Sequence, residues 1–259
     1  MKILVTNDDG ILSDELWILV KELNNIGQIV VVAPDREQSA TGTAVTLHQP
    51  LRVRKVKPMV PGIETYSVEG TPADSVILAL SKLLKDRVDV VVAGINQGLN
   101  LGNDVPISGT VGAALQGYLH GFSALAISIE RGDSMHSENA AKMAALLTKR
   151  IDSGVLPADI FLNVNLPNLP LNQIKGIKTT RLASQSHIDT VEEGHDGKRA
   201  YYWLVRHQIN QNADRETDIW AVEQGNISIT PLRTNFSSHS LPAITDSLCA
   251  ELFQELKRQ

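Results

Sequence analysis

A single cysteine, Cys249, stands in 259 residues. That excludes an intrachain disulfide and argues against a zinc–thiolate cluster. Aromatic side chains are scarce, with four Phe, three Trp and four Tyr, so few residues are available to stack on a base. A basic excess is missing as well: 24 Lys and Arg face 29 Asp and Glu, a net charge of −5, with no dense basic run. A broad surface for a nucleic-acid polymer is therefore not expected, although one small phosphate pocket is compatible with this balance. The seven histidines show no metal-ligand spacing. No apolar stretch is long enough to span a bilayer, so no membrane partner is expected. The N-terminus reads as a strand followed by acids, not as a secretory leader, and the expectation is a cytoplasmic protein. Internal repeats and low-complexity tracts are absent.

What is present begins at residue 1. The run Met1-Lys2-Ile3-Leu4-Val5-Thr6 is apolar and ends abruptly in Asn7-Asp8-Asp9-Gly10. It reads as a buried strand over 2–6 that delivers two adjacent carboxylates to its carboxyl end. Open α/β sheets bind ligands at that end of their strands. Adjacent carboxylates repel each other unless a cation or a shared proton relieves them. A hard divalent metal at Asp8 and Asp9 is one reading, and a plain Asn/Asp/Gly turn is the other.

The first half alternates strand and helix patterns. Ser13 is placed to cap a helix over about 14–25, with Leu16, Leu19, Val20 and Leu23 on its apolar face and Gly27 as its stop. Strands follow at 28–33, 88–93, 124–129 and 161–166. Thr71-Pro72 starts a helix whose buried face is read as Ile77, Leu80, Leu83 and Leu84. Further helices are expected at about 110–120 and from a Ser137 cap to Ile151. Residues 35–50 read as a long polar loop and 51–69 as a small hairpin excursion. This order argues for a doubly wound α/β layer with right-handed crossovers.

The second half is different. Short β-rich stretches are expected at 175–182, 200–206, 217–223 and 226–231, with 184–198 as a polar, mobile turn. Thr245 is read as the cap of a last amphipathic helix carrying Leu248, Leu252, Phe253 and Leu256. The expected organisation is a core over 1–172 and a β-rich extension with a C-terminal arm over 173–259. Such an arm is read as an oligomerisation device rather than a hairpin packed on its own core.

Polar residues fall near four strand ends or adjoining loops: Asp8 and Asp9, Ser39, Asn96, and then Asn100, Ser108, Gly109 and Thr110. Carboxylate, hydroxyl and amide oxygens suit Mg²⁺, Mn²⁺ or Ca²⁺ and suit zinc poorly. The segment Ser108-Gly109-Thr110-Val111-Gly112-Ala113-Ala114 enters a helix, where free N–H groups favour a phosphate. It is not a Walker A loop. The same small residues would also serve close helix packing. A metal beside a phosphate pocket implies phosphoryl chemistry, with Asp8 or Asp9 activating a water or attacking directly. His187 and His195, in the polar turn, are candidates to approach a neighbouring subunit's site.

These pieces resemble one family. Ile3-Leu4-Val5-Thr6-Asn7-Asp8-Asp9-Gly10, Ala33-Pro34-Asp35-Arg36-Glu37-Gln38-Ser39, Gly70-Thr71-Pro72-Ala73-Asp74 and Gly94-Ile95-Asn96-Gln97-Gly98-Leu99-Asn100 carry the resemblance. So do Ser108 to Ala114, Thr217-Asp218-Ile219-Trp220-Ala221 and Gly225 to Leu232. Together they are similar to the SurE (survival protein E) family of metal-dependent 5′/3′-nucleotidases. The resemblance implies a Rossmann-like three-layer α/β/α core with a mostly parallel sheet, a β-rich extension and an exchanged C-terminal arm in homodimers or homotetramers. It implies one divalent cation per subunit, Mg²⁺ or Mn²⁺ with Ca²⁺ as a stand-in in crystals, on Asp8, Asp9, Ser39 and Asn96. It implies a phosphate side at Ser108, Gly109 and Thr110 with Asn100 nearby, catalysis by Asp8 and Asp9, nucleoside monophosphate substrates and exopolyphosphatase activity in some members. One departure is visible. Where the family commonly has Gly after the ligand serine, Ala40 follows Ser39, and a locally adjusted loop is expected.

Two other classes fit less well. A signalling receiver domain needs a phosphoacceptor Asp at the end of its third strand, where this chain has Asn96. A catalytically silent nucleotide sensor would have no need to keep Asp8, Asp9, Ser39 and Asn96 together.

Overall fold

The computed structural model describes residues 1–185, 188–206 and 214–234, with 247, 248, 253, 256 and 257 beyond them. In chain order the first elements are β1 (Lys2–Thr6), α1 (Asp14–Leu23), β2 (Gln28–Pro34), β3 (Val53–Lys55), β4 (Glu64–Val68), α2 (Pro72–Leu78) and β5 (Val90–Gln97). Then come α3 (Gly109–Leu119), β6 (Ser123–Ile129), α4 (Ser137–Asp152), β7 (Phe161–Leu166), β8 (Gly176–Thr179), β9 (Ile188–His195), β10 (Ala200–Arg206), α5 (Asp218–Glu223) and β11 (Asn226–Pro231).

The strands β1, β2, β5, β6 and β7 are almost wholly buried. Near-continuous apolar runs of this kind belong to a parallel sheet covered on both faces. Side chains alternate between those faces. Ile3, Val5, Val90 and Val92 join a core with Leu16, Leu19, Val20 and Leu23 of α1 and Ala140, Ala144 and Leu147 of α4. Leu4, Val91 and Ala93 join the opposite core with Val76 of α2 and Val111, Ala113 and Ala114 of α3. The result is a three-layer α/β/α arrangement.

Among the described residues the main sheet has nine strands in the order β3-β4-β2-β1-β5-β6-β7-β11-β8, and β9 and β10 form a separate ribbon. β1 pairs in parallel with β2 on one side and with β5 on the other. The winding therefore reverses at β1, and the carboxyl ends of β1 and β5 open into the crevice of a topological switch point. β11 runs antiparallel to β7 and parallel to β8, so strands from the second half extend the same sheet.

Several expectations need correction. The 51–69 hairpin exists, but its second strand pairs in parallel with β2, so it forms the edge of the main sheet. Residues 217–223 form the helix α5 rather than a strand. The Thr217 hydroxyl accepts the N–H of Trp220, and Ile219 and Val222, three apart, are both buried. The stretch 184–198 contains β9, paired antiparallel with β10, and its tip is a turn where the Asp196 carboxylate accepts from the N–H groups of Lys198 and Arg199. In α2 the buried residues are Pro72, Ala73, Asp74, Ser75 and Val76, with Ala79 buried just beyond its end, whereas Ile77, Leu80, Leu83 and Leu84 are only half-buried. α4 starts at Ser137, with His136 in the cap position. Ser13 sits at the cap of α1 but makes no capping hydrogen bond. His187 and the helix expected from Thr245, as a unit, lie outside the described residues. Among the described residues no helix is long and apolar enough to cross a membrane.

Candidate active site

Three chain segments meet the Asn7–Gly10 turn after β1. The turn is shaped by the Asn7 side-chain amide, which donates to the Gly10 carbonyl at 2.9 Å. Gly10 takes a φ of 95°, and a Cβ there would lie 2.9 Å from the Arg36 carbonyl carbon. Only glycine lets the loop after β2 approach this closely. That loop is locked down when the Gln38 N–H donates to the Asp8 carbonyl at 2.7 Å.

The second segment is the N-terminus of α3. The Asp8 carboxylate is 3% exposed and accepts the Thr110 hydroxyl at 2.5 Å, and the Thr110 N–H also bonds to it. A Cβ on Gly109 would lie 2.8 Å from the Asp8 Cβ and 3.1 Å from the Gln38 carbonyl oxygen. The absence of a side chain at 109 therefore lets the helix end, Asp8 and the β2 loop close on one another. Ser108 caps α3 by accepting the Val111 N–H at 3.2 Å. The third segment is the end of β5, where the Gln97 N–H bonds to the Asp9 carboxylate. β5 reaches this far because Gly94, with a φ of 136°, passes over the Ile127 carbonyl where a Cβ would lie 2.4 Å away.

The electrostatics follow from burial and crowding. Burial pushes Asp8 upward from its ordinary value, opposed by its hydrogen bonds from Thr110. Burial, and then the neighbouring charge of Asp8, push Asp9 up to about 7. Glu37 adds negative potential at both carboxylates. Two further oxygens, Asp9 Oδ2 and Asn7 Oδ1, are buried with no hydrogen-bond partner. A crowded acidic pair with an orphaned carboxylate oxygen is the arrangement that a bound cation relieves. Among the described residues no group of three His, Cys, Asp or Glu side chains is arranged to hold a metal. A cation here would be held by two carboxylates and neutral oxygens, a set suited to hard ions.

The remaining candidates take different places. Ser39 is exposed beside Gln38, with its hydroxyl donating to Glu37 at 2.7 Å. Ala40 adopts a φ of 57°, so the position does require the left-handed conformation, and Ala takes it rather than the loop adjusting. Asn96, next to Gln97, donates its side-chain amide to the Gly98 carbonyl at 2.6 Å. Asn100 turns inward. Its amide donates to Ser128 at 2.9 Å, its N–H donates to Asn165, and its carbonyl accepts from Asn163 and Asn165. Asn100 thus anchors its loop to the sheet. His195 lies in the ribbon and accepts the Gly197 N–H in the exposed turn.

Sequence reasoning missed Asn163, Asn165, Ser128 and Gln97. A usable signal existed for the asparagine pair. Residues two apart share one face of a strand, and Asn163 and Asn165 interrupt an otherwise apolar, fully buried β7. Buried amides at such spacing call for partners.

The comparisons agree with this architecture. A family model described as survival protein SurE matches residues 3–189. A protein named 5′-nucleotidase SurE from Dehalococcoides mccartyi (strain CBDB1) is 53% identical over 249 residues, 95% of this chain and 94% of its own. Another of that name, from Legionella pneumophila (strain Lens), is 43% identical over 242 residues, 93% of this chain and 94% of its own. The crystal structure of the Sure protein from Aquifex aeolicus superposes with a TM-score of 0.80 at 34% identity, covering 99% of this chain and all of that one. With its switch-point carboxylates and a match running from β1 into β9, this chain belongs to the SurE family.

Proposed function

We propose that this protein is a metal-dependent 5′-nucleotidase: a phosphomonoesterase that converts nucleoside 5′-monophosphates to nucleoside and phosphate, with 3′-monophosphates and polyphosphate chain ends as secondary substrates. The observation that carries the reading is the crowded Asp8–Asp9 pair, with Asp8 buried and packed against the N-terminus of α3 and Asp9 half-buried beside it. The relatives' name, 5′-nucleotidase SurE, supports the substrate class.

In this reading Asp8, Asp9, Ser39 and Asn96 hold one Mg²⁺ or Mn²⁺ per subunit. When bound, that ion supplies Lewis-acid polarisation of a phosphoryl oxygen and lowers the pKa of a water. The protein's own groups do the positioning. Thr110 fixes the Asp8 carboxylate through its hydroxyl and its N–H. Gly109 lets the helix N-terminus approach Asp8, so that the positive end of the dipole faces an anionic substrate. Asp9, lifted to about 7 by burial and the Asp8 charge in the metal-free protein, would give up that proton to serve as a ligand. Residues 1–172 carry this chemistry, and 173–259 supply the extension and an arm that pairs subunits into a homodimer or homotetramer.

The test is phosphate release from a panel of nucleoside monophosphates, with and without Mg²⁺ or Mn²⁺. The expected result is metal-dependent release that falls more than about 100-fold in Asp8→Asn. Turnover by Asp8→Asn at the wild-type rate after chelation would show the metal assignment to be wrong. No release from any substrate by folded, metal-loaded protein would favour the silent sensor.

A further inference from the structure

Asp218 lies outside the set described above, yet it is fully buried at the start of α5. Three backbone N–H groups from three segments converge on its carboxylate. Gly102 donates to Oδ2 at 2.8 Å, and Ala183 and Ile219 donate to Oδ1 at 2.9 Å each. Burial raises its pKa and these three bonds act against that rise. Leu101 and Ala183 pack against Ile219 and Val222 around it as a small separate core. A parallel tie lies alongside, where Asn103 N–H donates to the Gln185 carbonyl at 2.8 Å. Removing a carboxylate from water is costly, and here the compensation is the fixing of other residues' backbone.

The segment so fixed leads to the active-site helix. Its near end is held at Asn100 by Asn163 and Asn165. Its far end is held at Gly102, which has a φ of 52° and where a Cβ would lie 2.4 Å from the Gln185 carbonyl oxygen, so that only glycine fits. From Gly102 the chain runs as a tight helical turn to Ile107 and then directly into Ser108, Gly109 and Thr110. We propose that Asp218 is a positioning residue, which through Gly102 sets where Ser108–Thr110 meet the substrate's phosphate. The proposal rests on the nucleotidase reading above. It makes α5 and the 181–185 segment part of the machinery that aims the phosphate loop.

The variant is Asp218→Asn in the full chain. It is nearly isosteric, but one carboxylate oxygen becomes an NH₂ group that cannot accept, so one set of N–H groups loses its partner. Two readouts are taken. In Mn²⁺, KM for a nucleoside 5′-monophosphate and the inhibition constant of inorganic phosphate are expected to rise about tenfold or more, with Mn²⁺ affinity at the wild-type value. Amide hydrogen exchange over residues 102–110 is expected to speed up beyond the change in global stability. A merely structural Asp218 would lower the unfolding midpoint and leave KM and the phosphate constant as in wild type; that result overturns the proposal. Should Asp218→Asn fail to fold, Asp218→Glu, which keeps the charge but moves it by one methylene, carries the same comparison. If wild type itself releases no phosphate, the nucleotidase reading fails, and hydrogen exchange alone decides whether Asp218 holds the loop.

Discussion

At the scale of single residues, the site is defined by groups that are costly where they stand. Asp9 shows this through its proton. Its folded value of about 7 lies above the ordinary 3.8, so the metal-free folded state binds the proton more tightly than the unfolded chain. Stability contributed this way is complete below the unfolded value and is lost as pH rises through the folded one. Denaturant midpoints of chelator-treated protein should therefore fall between about pH 4 and pH 7, and Asp9→Asn should flatten that slope. Ala40 carries strain of another kind. At a φ of 57° its Cβ crowds the backbone, a conformation glycine adopts freely. Ala40→Gly is expected to stabilise the protein by about 0.5–1 kcal/mol, after allowing for the larger unfolded-state entropy of glycine. Urea unfolding checks it.

At the scale of elements, the placement of α3 decides whether the carboxylates can act. The helix begins where Gly109 touches Asp8, and further along Gly112 lies under the Gly42 carbonyl, where a Cβ would come within 2.0 Å. Each contact lets a helix or loop approach closer than a side chain allows. Gly109→Ala would set a methyl 2.9 Å from Asp8 Oδ2. The helix-propensity gain of up to about 1 kcal/mol is outweighed by overpacking of about 1–3 kcal/mol, so stability should fall modestly. Turnover should drop at least about tenfold, because the carboxylate or the helix end must shift. Steady-state kinetics alongside thermal melts separate the two effects. The long 35–50 loop is held from below by another element. Asp74 accepts from the N–H and hydroxyl of Thr46, while with Thr71 it forms the capping box of α2. One short helix end thereby positions the loop that carries Ser39.

At the scale of the whole molecule, the ribbon formed by β9 and β10 is the feature that a single chain leaves unexplained. Val191, Tyr202, Trp203 and Leu204 are all more than half exposed. Large apolar side chains grouped on one exposed ribbon mark an interaction surface. In the proposed assembly they are covered by another copy of the chain. Light scattering should give the mass of two or four chains, and the double substitution Trp203→Asp with Leu204→Asp should shift it toward one. An unchanged mass in the double variant would remove the ribbon from the interface.

What the sequence determined by itself is what depends on local period and local chemistry. The buried strands were legible as short apolar runs, α1 as Leu16, Leu19, Val20 and Leu23 at helical spacing, and α2 from Thr71-Pro72. The Asp8–Asp9 pair was legible because two acids ending an apolar strand have few explanations. α5 was not legible. A helix of six residues holds fewer than two turns, too little to establish a period, and its cap at Thr217 decided its form. Nor were the partners of Asn100 or Asp218. The bond from Gly102 to Asp218 spans 116 residues and that from Asn100 to Asn165 spans 65. Nothing local in the chain announces such pairs; they exist because the sheet order brings β7 and α5 against the loop after β5. Tertiary structure alone decided them, since a buried polar group takes the partner that folding places within reach.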